Sequence, residues 1–273
     1  MTVVANHMVE KPQDGFIAVM DSGVGGISVL SALVSLLPFE NFHYFGDSAF
    51  TPYGEKPFEW ILERTSTLVD RFIDSGAKAI VIACNTATSA AAEPLREKYE
   101  SIPIIGIEPA LKPAACSLPG GRILVMATPM TLHLEKFQHL ADQWSAGCTV
   151  IPLACDGLAG TIEKSGPESE AVYELLERLI GCYRGSVDGV VLGCTHYPLA
   201  AQPIRQILGN VPQFDGASGT ARHLYHVLED RDLLTCRKEP GQIDFETSSE
   251  APDALEQYRQ LYDFARDTIQ VCG

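Results

Sequence analysis

The sequence predicts an α/β protein made of two similar halves, each a mostly parallel sheet covered by helices. Two observations predict it. Apolar runs of strand length alternate with amphipathic runs of helical period along most of the chain, and that alternation builds parallel, helix-flanked sheets. In addition, two of the strand-length runs end alike. Ala79-Ile80-Val81-Ile82-Ala83 leads into Cys84-Asn85-Thr86, and Gly189-Val190-Val191-Leu192-Gly193 leads into Cys194-Thr195-His196. Ligands of open α/β sheets sit beyond the carboxyl ends of strands. Two thiols at matching strand ends therefore suggest two half-sites facing one pocket.

The chain has 273 residues, 46% of them hydrophobic, enough for one large or two small domains. A net charge of −15 argues against nucleic acid or an anionic membrane as partner, because phosphate contacts need Lys and Arg. A pocket lined by backbone amides can still hold an anionic ligand. No apolar run reaches membrane-spanning length. Residues 1–14 lack the apolar centre of a signal peptide and read as a short extension. Eight cysteines without a C-x-x-C pair, in a chain with no export signal, are expected to be reduced thiols. That fits a cytoplasmic protein.

In the first half, Phe16 to Met20 reads as a buried strand. Asp21-Ser22-Gly23-Val24-Gly25-Gly26 follows as a tight turn into a helix over Ile27 to Leu37. Backbone N–H groups in such a frame can hold an anion, or the glycines serve the turn alone. A dinucleotide fingerprint is not met, because Ser28 stands where the third glycine belongs. Asp21 can cap the turn or orient a base. Asn41 to Phe45 is the second strand, and Gly46-Asp47 opens a loop over 48–57. There Pro52-Tyr53-Gly54 forms either a rigid rim or an ordinary connection. Phe58 to Ser75 is an amphipathic helix, Ala79 to Ala83 the strand before Cys84, and Thr88 to Tyr99 an Ala-rich helix. Ile104 to Ile107 is the next strand, and Glu108-Pro109 breaks the pattern at a crossing into the second half.

The second half opens with a strand over Arg122 to Ala127, then one helix from Thr128-Pro129 to about Trp144. Thr149 to Pro152 is a short strand, Leu158 to Glu163 a short helix and Ser169 to Tyr183 a longer one. The Cys194 strand follows. Pro198 fits the first turn of the next helix, which runs over Leu199 to Leu208. Gln213-Phe214 leads to a turn at Asp215-Gly216 that crosses back, and Thr220 to Leu228 is helical. Glu239 to Pro252 reads as a loop or edge hairpin. In Ala254 to Ile269, the residues Leu255, Tyr258, Leu261, Tyr262, Ala265 and Ile269 share one helical face. The expected division is 15–108 with 216–273 in one domain and 109–215 in the other.

Several chemistries suit two such thiols. Zinc sites want three or four ligands, usually with a close pair, and no second pair stands near Cys194 and His196, so no metal is expected. A Cys194–His196 nucleophile is possible chemistry but leaves the Cys84 strand without a purpose. Both thiols could instead be small buried hydrophobes, a common role for free cysteine. Proton transfer uses both. A thiol titrates near enough to neutrality to act as acid or base, and inverting a carbon needs one group on each face. Asp21 and His196 could orient or deprotonate the thiols.

These residues carry a family resemblance. Asp21-Ser22-Gly23-Val24-Gly25-Gly26, Gly46-Asp47 with Pro52-Tyr53-Gly54, Cys84-Asn85-Thr86-Ala87-Thr88, Glu108-Pro109-Ala110 and Leu192-Gly193-Cys194-Thr195-His196-Tyr197-Pro198 resemble the cofactor-independent bacterial glutamate racemases over about Phe16 to Ile269. The resemblance implies two α/β domains with the site in their cleft, no cofactor, a homodimer, and D-glutamate made for peptidoglycan. It implies Cys84 as the base toward D-glutamate, assisted by Asp21, and Cys194 as the base toward L-glutamate, assisted by His196. Glu163 aligns with a further acidic residue of the second domain. Substrate contacts fall on Ser22, Pro52, Tyr53, Gly54, Asn85, Thr86 and Thr195. Aspartate racemases share the two cysteines but resemble Cys-Thr-Glu at the second, where this chain has Cys194-Thr195-His196. A thiol hydrolase or lyase, or an amino-acid binder, are the alternatives on such a fold. Cys155 is assigned no role beyond packing, and alkylation is expected to select Cys84 and Cys194.

Overall fold

A computed structural model describes residues 15–145 and 147–268. The extension over 1–14 and the helical position of Ile269 lie outside them.

Two sheets form, and every strand pair in both is parallel. The first contains β1 (Phe16–Asp21), β2 (Phe42–Gly46), β3 (Ala77–Ile82), β4 (Ile104–Gly106) and β9 (Ile243–Thr247), in the order β4-β3-β1-β2-β9. The second contains β5 (Arg122–Ala127), β6 (Thr149–Ala154), β7 (Gly189–Leu192) and β8 (Gln213–Asp215), in the order β8-β7-β5-β6. Apart from β9, the two orders are the same. The third strand of each sheet, β3 and β7, leads to Cys84 and Cys194. The similarity of the halves is therefore topological, and it places the thiols at equivalent strand ends.

The central strands are buried throughout, as continuous Val/Ile/Leu runs require when both sheet faces are covered. One apolar core joins the domains, with Ile17, Val24 and Ile27 from the first packed into the same cluster as Leu158, Ile162, Leu192 and Tyr197 from the second. The outer face of each sheet has its own core, around Ile80, Phe72 and Leu95 in one and Ile123, Val125 and Phe137 in the other. Burying each such large side chain contributes about 1.5–3 kcal/mol.

The chain crosses between sheets twice. After β4 it passes through Glu108–Ala110 into α4 (Leu111–Ser117), which packs on the second sheet. After β8 it returns at Gly216 into α10 (Ala217–Asp230), which packs on α1 (Ile27–Leu36). A Cβ at Gly216 would lie 2.4 Å from the Glu108 carbonyl oxygen, so the two crossings run against each other.

The structure differs from the sequence expectations at several points. Glu239 to Pro252 is not a hairpin. Its centre is β9, a parallel edge strand on β2, where the alternating Ile243 and Phe245 cover α1-side core. The expected helix to Trp144 is two, α5 (Pro129–His133) and α6 (Glu135–Ser145), because Leu134 is extended between them. The helix after Cys84, α3 (Asn85–Lys98), starts three residues before Thr88, with Cys84 itself as its cap. The helix α4 was not foreseen: Pro113 masks its short pattern. On α11 (Ala254–Thr268), Tyr258 and Ala265 are buried but Leu255 is exposed.

Candidate active site

Cys84 ends in a buried cluster at the start of α3. Its Sγ accepts the Ala87 N–H at 3.5 Å and its S–H lies 3.6 Å from Ser22 Oγ. Burial, and then the charge of Asp21, push this thiol up to about 12, against the pull of those two hydrogen bonds. The resting group is a protonated thiol. Cys194 lies near enough that its charge also raises Cys84, so the two strand ends share one electrostatic site.

Asp21, at the end of β1, is fully buried. Its carboxylate accepts the Gly23 N–H at 3.0 Å and the Thr195 hydroxyl at 3.0 Å. The second bond crosses from one domain to the other. Burial raises its pKa, offset in part by the charge of His196 and by these hydrogen bonds. Asp21 therefore reaches Cys84 through its field rather than by a hydrogen bond.

On the other side, Cys194 Sγ is 3.8 Å from His196 Nδ1, and His196 Nε2 is 2.7 Å from Glu163 Oε2. Glu163 lies on α7 (Leu158–Ser165). Burial pulls the imidazole down, but the hydrogen bonds and charges of Cys194 and Glu163 outweigh it and hold His196 well above its ordinary value. Burial likewise raises Glu163, and the His196 pair, the Ser48 hydroxyl and the Val24 amide together bring it below its ordinary value. Both directions describe the same thing, an imidazolium–carboxylate pair.

The glycine turn serves close approach. A Cβ at Gly25 would lie 2.4 Å from His196 Nδ1, and one at Gly23 would lie 2.3 Å from Glu163 Oε2. These glycines let the first domain press against the second domain's ion pair.

Of the residues expected to contact substrate, Ser22, Asn85, Thr86 and Thr195 are all buried here. Asn85 Oδ1 is buried with no hydrogen-bond partner. An orphaned acceptor of this kind calls for a donor, such as an ammonium group. Thr86 Oγ1 is 3.3 Å from both Thr128 Oγ1 and Thr131 Oγ1, a second polar bridge between domains. Tyr53 turns its hydroxyl to Asp47 at 2.5 Å, and Arg64 clamps the same carboxylate at 2.7 and 2.8 Å. That leaves the backbone of the Pro52–Gly54 rim, which passes Thr128 closely at Gly54, to meet a ligand.

Sequence reading missed Ser48, Thr128, Thr131 and Tyr258. Thr128 was findable, since it follows β5 as Ser22 follows β1. Cys155 packs as expected: it is buried, and burial raises its thiol to about 12. Selective alkylation of the two site thiols does not fit the structure, because Cys116, Cys182 and Cys236 are exposed while Cys84 and Cys194 are buried. A wide cavity of about 1270 Å³ opens at the crossings, lined by Glu108, Pro109, Asp215 and Gly216. It contains neither thiol, so size does not locate this chemistry.

The chain as a whole matches known proteins. The family model for Asp/Glu/hydantoin racemases covers residues 17–224. The chain belongs to that family. Among relatives, the glutamate racemase of Clostridium acetobutylicum is 43% identical over 248 residues, 90% of this chain and 97% of the relative. Two solved racemase structures superpose closely. Glutamate racemase RacE1 of Bacillus anthracis has 28% identity and a TM-score of 0.81, covering 91% of this chain and 94% of its own. Escherichia coli glutamate racemase, solved with L-glutamate and the activator UDP-MurNAc-Ala, has 28% identity and a TM-score of 0.80, covering 91% and 95%. The two-domain α/β racemase fold is thus shared along nearly the whole chain.

Proposed function

We propose that this chain interconverts L- and D-glutamate by proton transfer at the α-carbon, with one thiol on each face. The observation that carries the reading is the pair of equivalent strand ends, Cys84 after β3 and Cys194 after β7, in one buried polar cluster. The relatives named glutamate racemase support glutamate as the substrate, as does His196 after Cys194-Thr195.

With L-glutamate, Cys194 as thiolate takes the α-proton and Cys84 S–H returns one to the opposite face. With D-glutamate the roles exchange. One C–H bond breaks and one forms; the pair of sulfurs carries one proton before and after the turnover and two while the α-carbon is a carbanion. The high Cys84 pKa suits the donor role. For the base role it must ionise, and both a substrate ammonium and the start of α3 favour its thiolate. The His196–Glu163 pair sets a cation beside Cys194. Asp21 holds the Gly23 turn and Thr195 in register. Asn85, Thr86, Ser22, Thr195 and the Pro52–Gly54 rim bind the amino acid's polar groups.

At the level of the cell, the proposed role is D-glutamate supply for peptidoglycan by a cytoplasmic homodimer that needs no added cofactor. Among the described residues no helix is long and apolar enough to cross a membrane. The proposed domains are 15–108 with 216–273, and 109–215. Incubation with L-glutamate alone, followed by chiral chromatography, tests the activity. Accumulation of D-glutamate to an equal mixture is the expected result, and its absence rejects the proposal.

A further inference from the structure

A run of hydrogen bonds leads from the Cys194 side of the site to the C-terminal helix of the other domain. Glu163 Oε1 accepts the Ser48 hydroxyl at 2.8 Å, and Ser48 Oγ lies 2.7 Å from Tyr258 Oη on α11. Proton counting gives this run a direction. A carboxylate can only accept, and Ser48 has one proton to give. Ser48 therefore donates to Glu163 and accepts from Tyr258. Of the phenol's contacts this is the shortest, the others being Thr247 Oγ1 at 3.0 Å and the Gly46 carbonyl at 3.2 Å.

Two further observations show that the run is built in. Tyr258 is 1% exposed, and burial pushes its phenol up to about 12, so it stays a neutral donor. A Cβ at Gly46 would lie 2.1 Å from Tyr258 Oη. The glycine at the end of β2 makes room for that hydroxyl, as Gly23 does for Glu163. Among the described residues the Cys84 thiol is held by Ser22 and Ala87 from its own domain, and the cross-domain bond on its side runs from Thr195 to Asp21, without the C-terminal helix.

We propose that Ser48 and Tyr258 are positioning residues for one half-site. By holding the second oxygen of Glu163, they keep its first oxygen on His196 and the imidazolium beside Cys194, so that this thiol's chemistry depends on the C-terminal helix and that of Cys84 does not. The inference rests on the two-thiol reading above. The other titratable groups around the pair are Cys194, Asp21 and Tyr44.

The test uses Tyr258→Phe and Ser48→Ala, with Ser48→Thr as the variant that restores the hydroxyl. The first readout needs no substrate. NMR titration of the His196 imidazole should give a pKa about half a unit to one unit lower in Tyr258→Phe and Ser48→Ala, and near wild type in Ser48→Thr. The second readout separates the two faces. With α-deuterated L-glutamate, the isotope effect on kcat/KM should grow in the two hydroxyl-deleted variants, because abstraction by Cys194 becomes the harder step. With α-deuterated D-glutamate it should shrink. An unchanged His196 titration, or isotope effects that move together for both enantiomers, overturns the inference. If the wild-type chain does not racemise glutamate, the proposed activity fails, and the His196 titration still decides the positioning claim.

Discussion

His196 and Glu163 form a closed ion pair, 2.7 Å between Nε2 and Oε2, with side chains 2% and 13% exposed. The pair sets a pH window. Glu163 is depressed, so its stabilisation is present above its ordinary 4.5 and is lost as pH falls through the depressed value. His196 is raised, so its stabilisation is full below its ordinary 6.5 and is lost as pH rises through the raised value. Between those limits the pair holds the second domain against the glycine turn. Glu163→Gln should therefore lower the melting temperature at pH 7, by the equivalent of about 1–3 kcal/mol. In thermal melts the gap from wild type should close in acid. A gap that widens in acid would contradict the pair.

Removing either thiol should abolish racemisation while leaving half of the chemistry. A 3-chloroglutamate needs only one proton abstraction before chloride leaves. Cys84→Ser should still process the L-analogue through Cys194, and Cys194→Ser the D-analogue through Cys84. Equal loss with both enantiomers in both variants would point to a one-thiol mechanism.

Asp21→Asn should slow turnover more than it weakens binding, by about 10²–10⁴-fold, because it disturbs both the field at Cys84 and the cross-domain bond to Thr195. Asn85→Ala should mainly raise KM, since it removes an acceptor used in ground and transition states alike. Steady-state kinetics in both directions separate the two cases.

Access to solvent predicts the order of thiol labelling. Iodoacetamide should modify Cys116, Cys182 and Cys236 early with activity retained. Activity should fall only with the later modification of Cys84 or Cys194, and glutamate should slow that phase. Peptide mass mapping against residual activity reads the order. Loss of activity in step with Cys182 labelling would contradict it.

The strands feeding Cys84 and Cys194 were legible because buried parallel strands are continuous apolar runs, and their small-residue ends mark where the chain turns toward a ligand. Asp21, His196 and Glu163 come together in the structure, although Glu163 matched its motif only loosely. Its position is fixed by contacts from Gly23, Ser48 and His196, all distant in sequence. Tyr258 left no chemical signal, since on a helical face a buried tyrosine reads as core. β9 was hidden for a similar reason: a short edge strand among Pro and Gly has the composition of a loop. The break at Leu134 depends on one residue's backbone angles, which hydrophobic period does not record.

The two crossings between the sheets, in contact where Gly216 meets the Glu108 carbonyl, have a mechanical consequence. Two adjacent strips of chain leave one direction of relative rotation unopposed by the covalent chain, about the line through both strips, and there the shared apolar core around Val24, Ile162 and Tyr197 is what resists it. The domains are thus connected like the boards of a book, with the spine at Glu108–Ala110 and Gly216. Both thiols lie under 10% exposed, Cys84 at 5% and Cys194 at 8%, so whatever reaches them must first displace the groups that cover them. Any rotation about that spine works against the Asp21–Thr195 and Ser48–Glu163 bonds together, because both span the two halves.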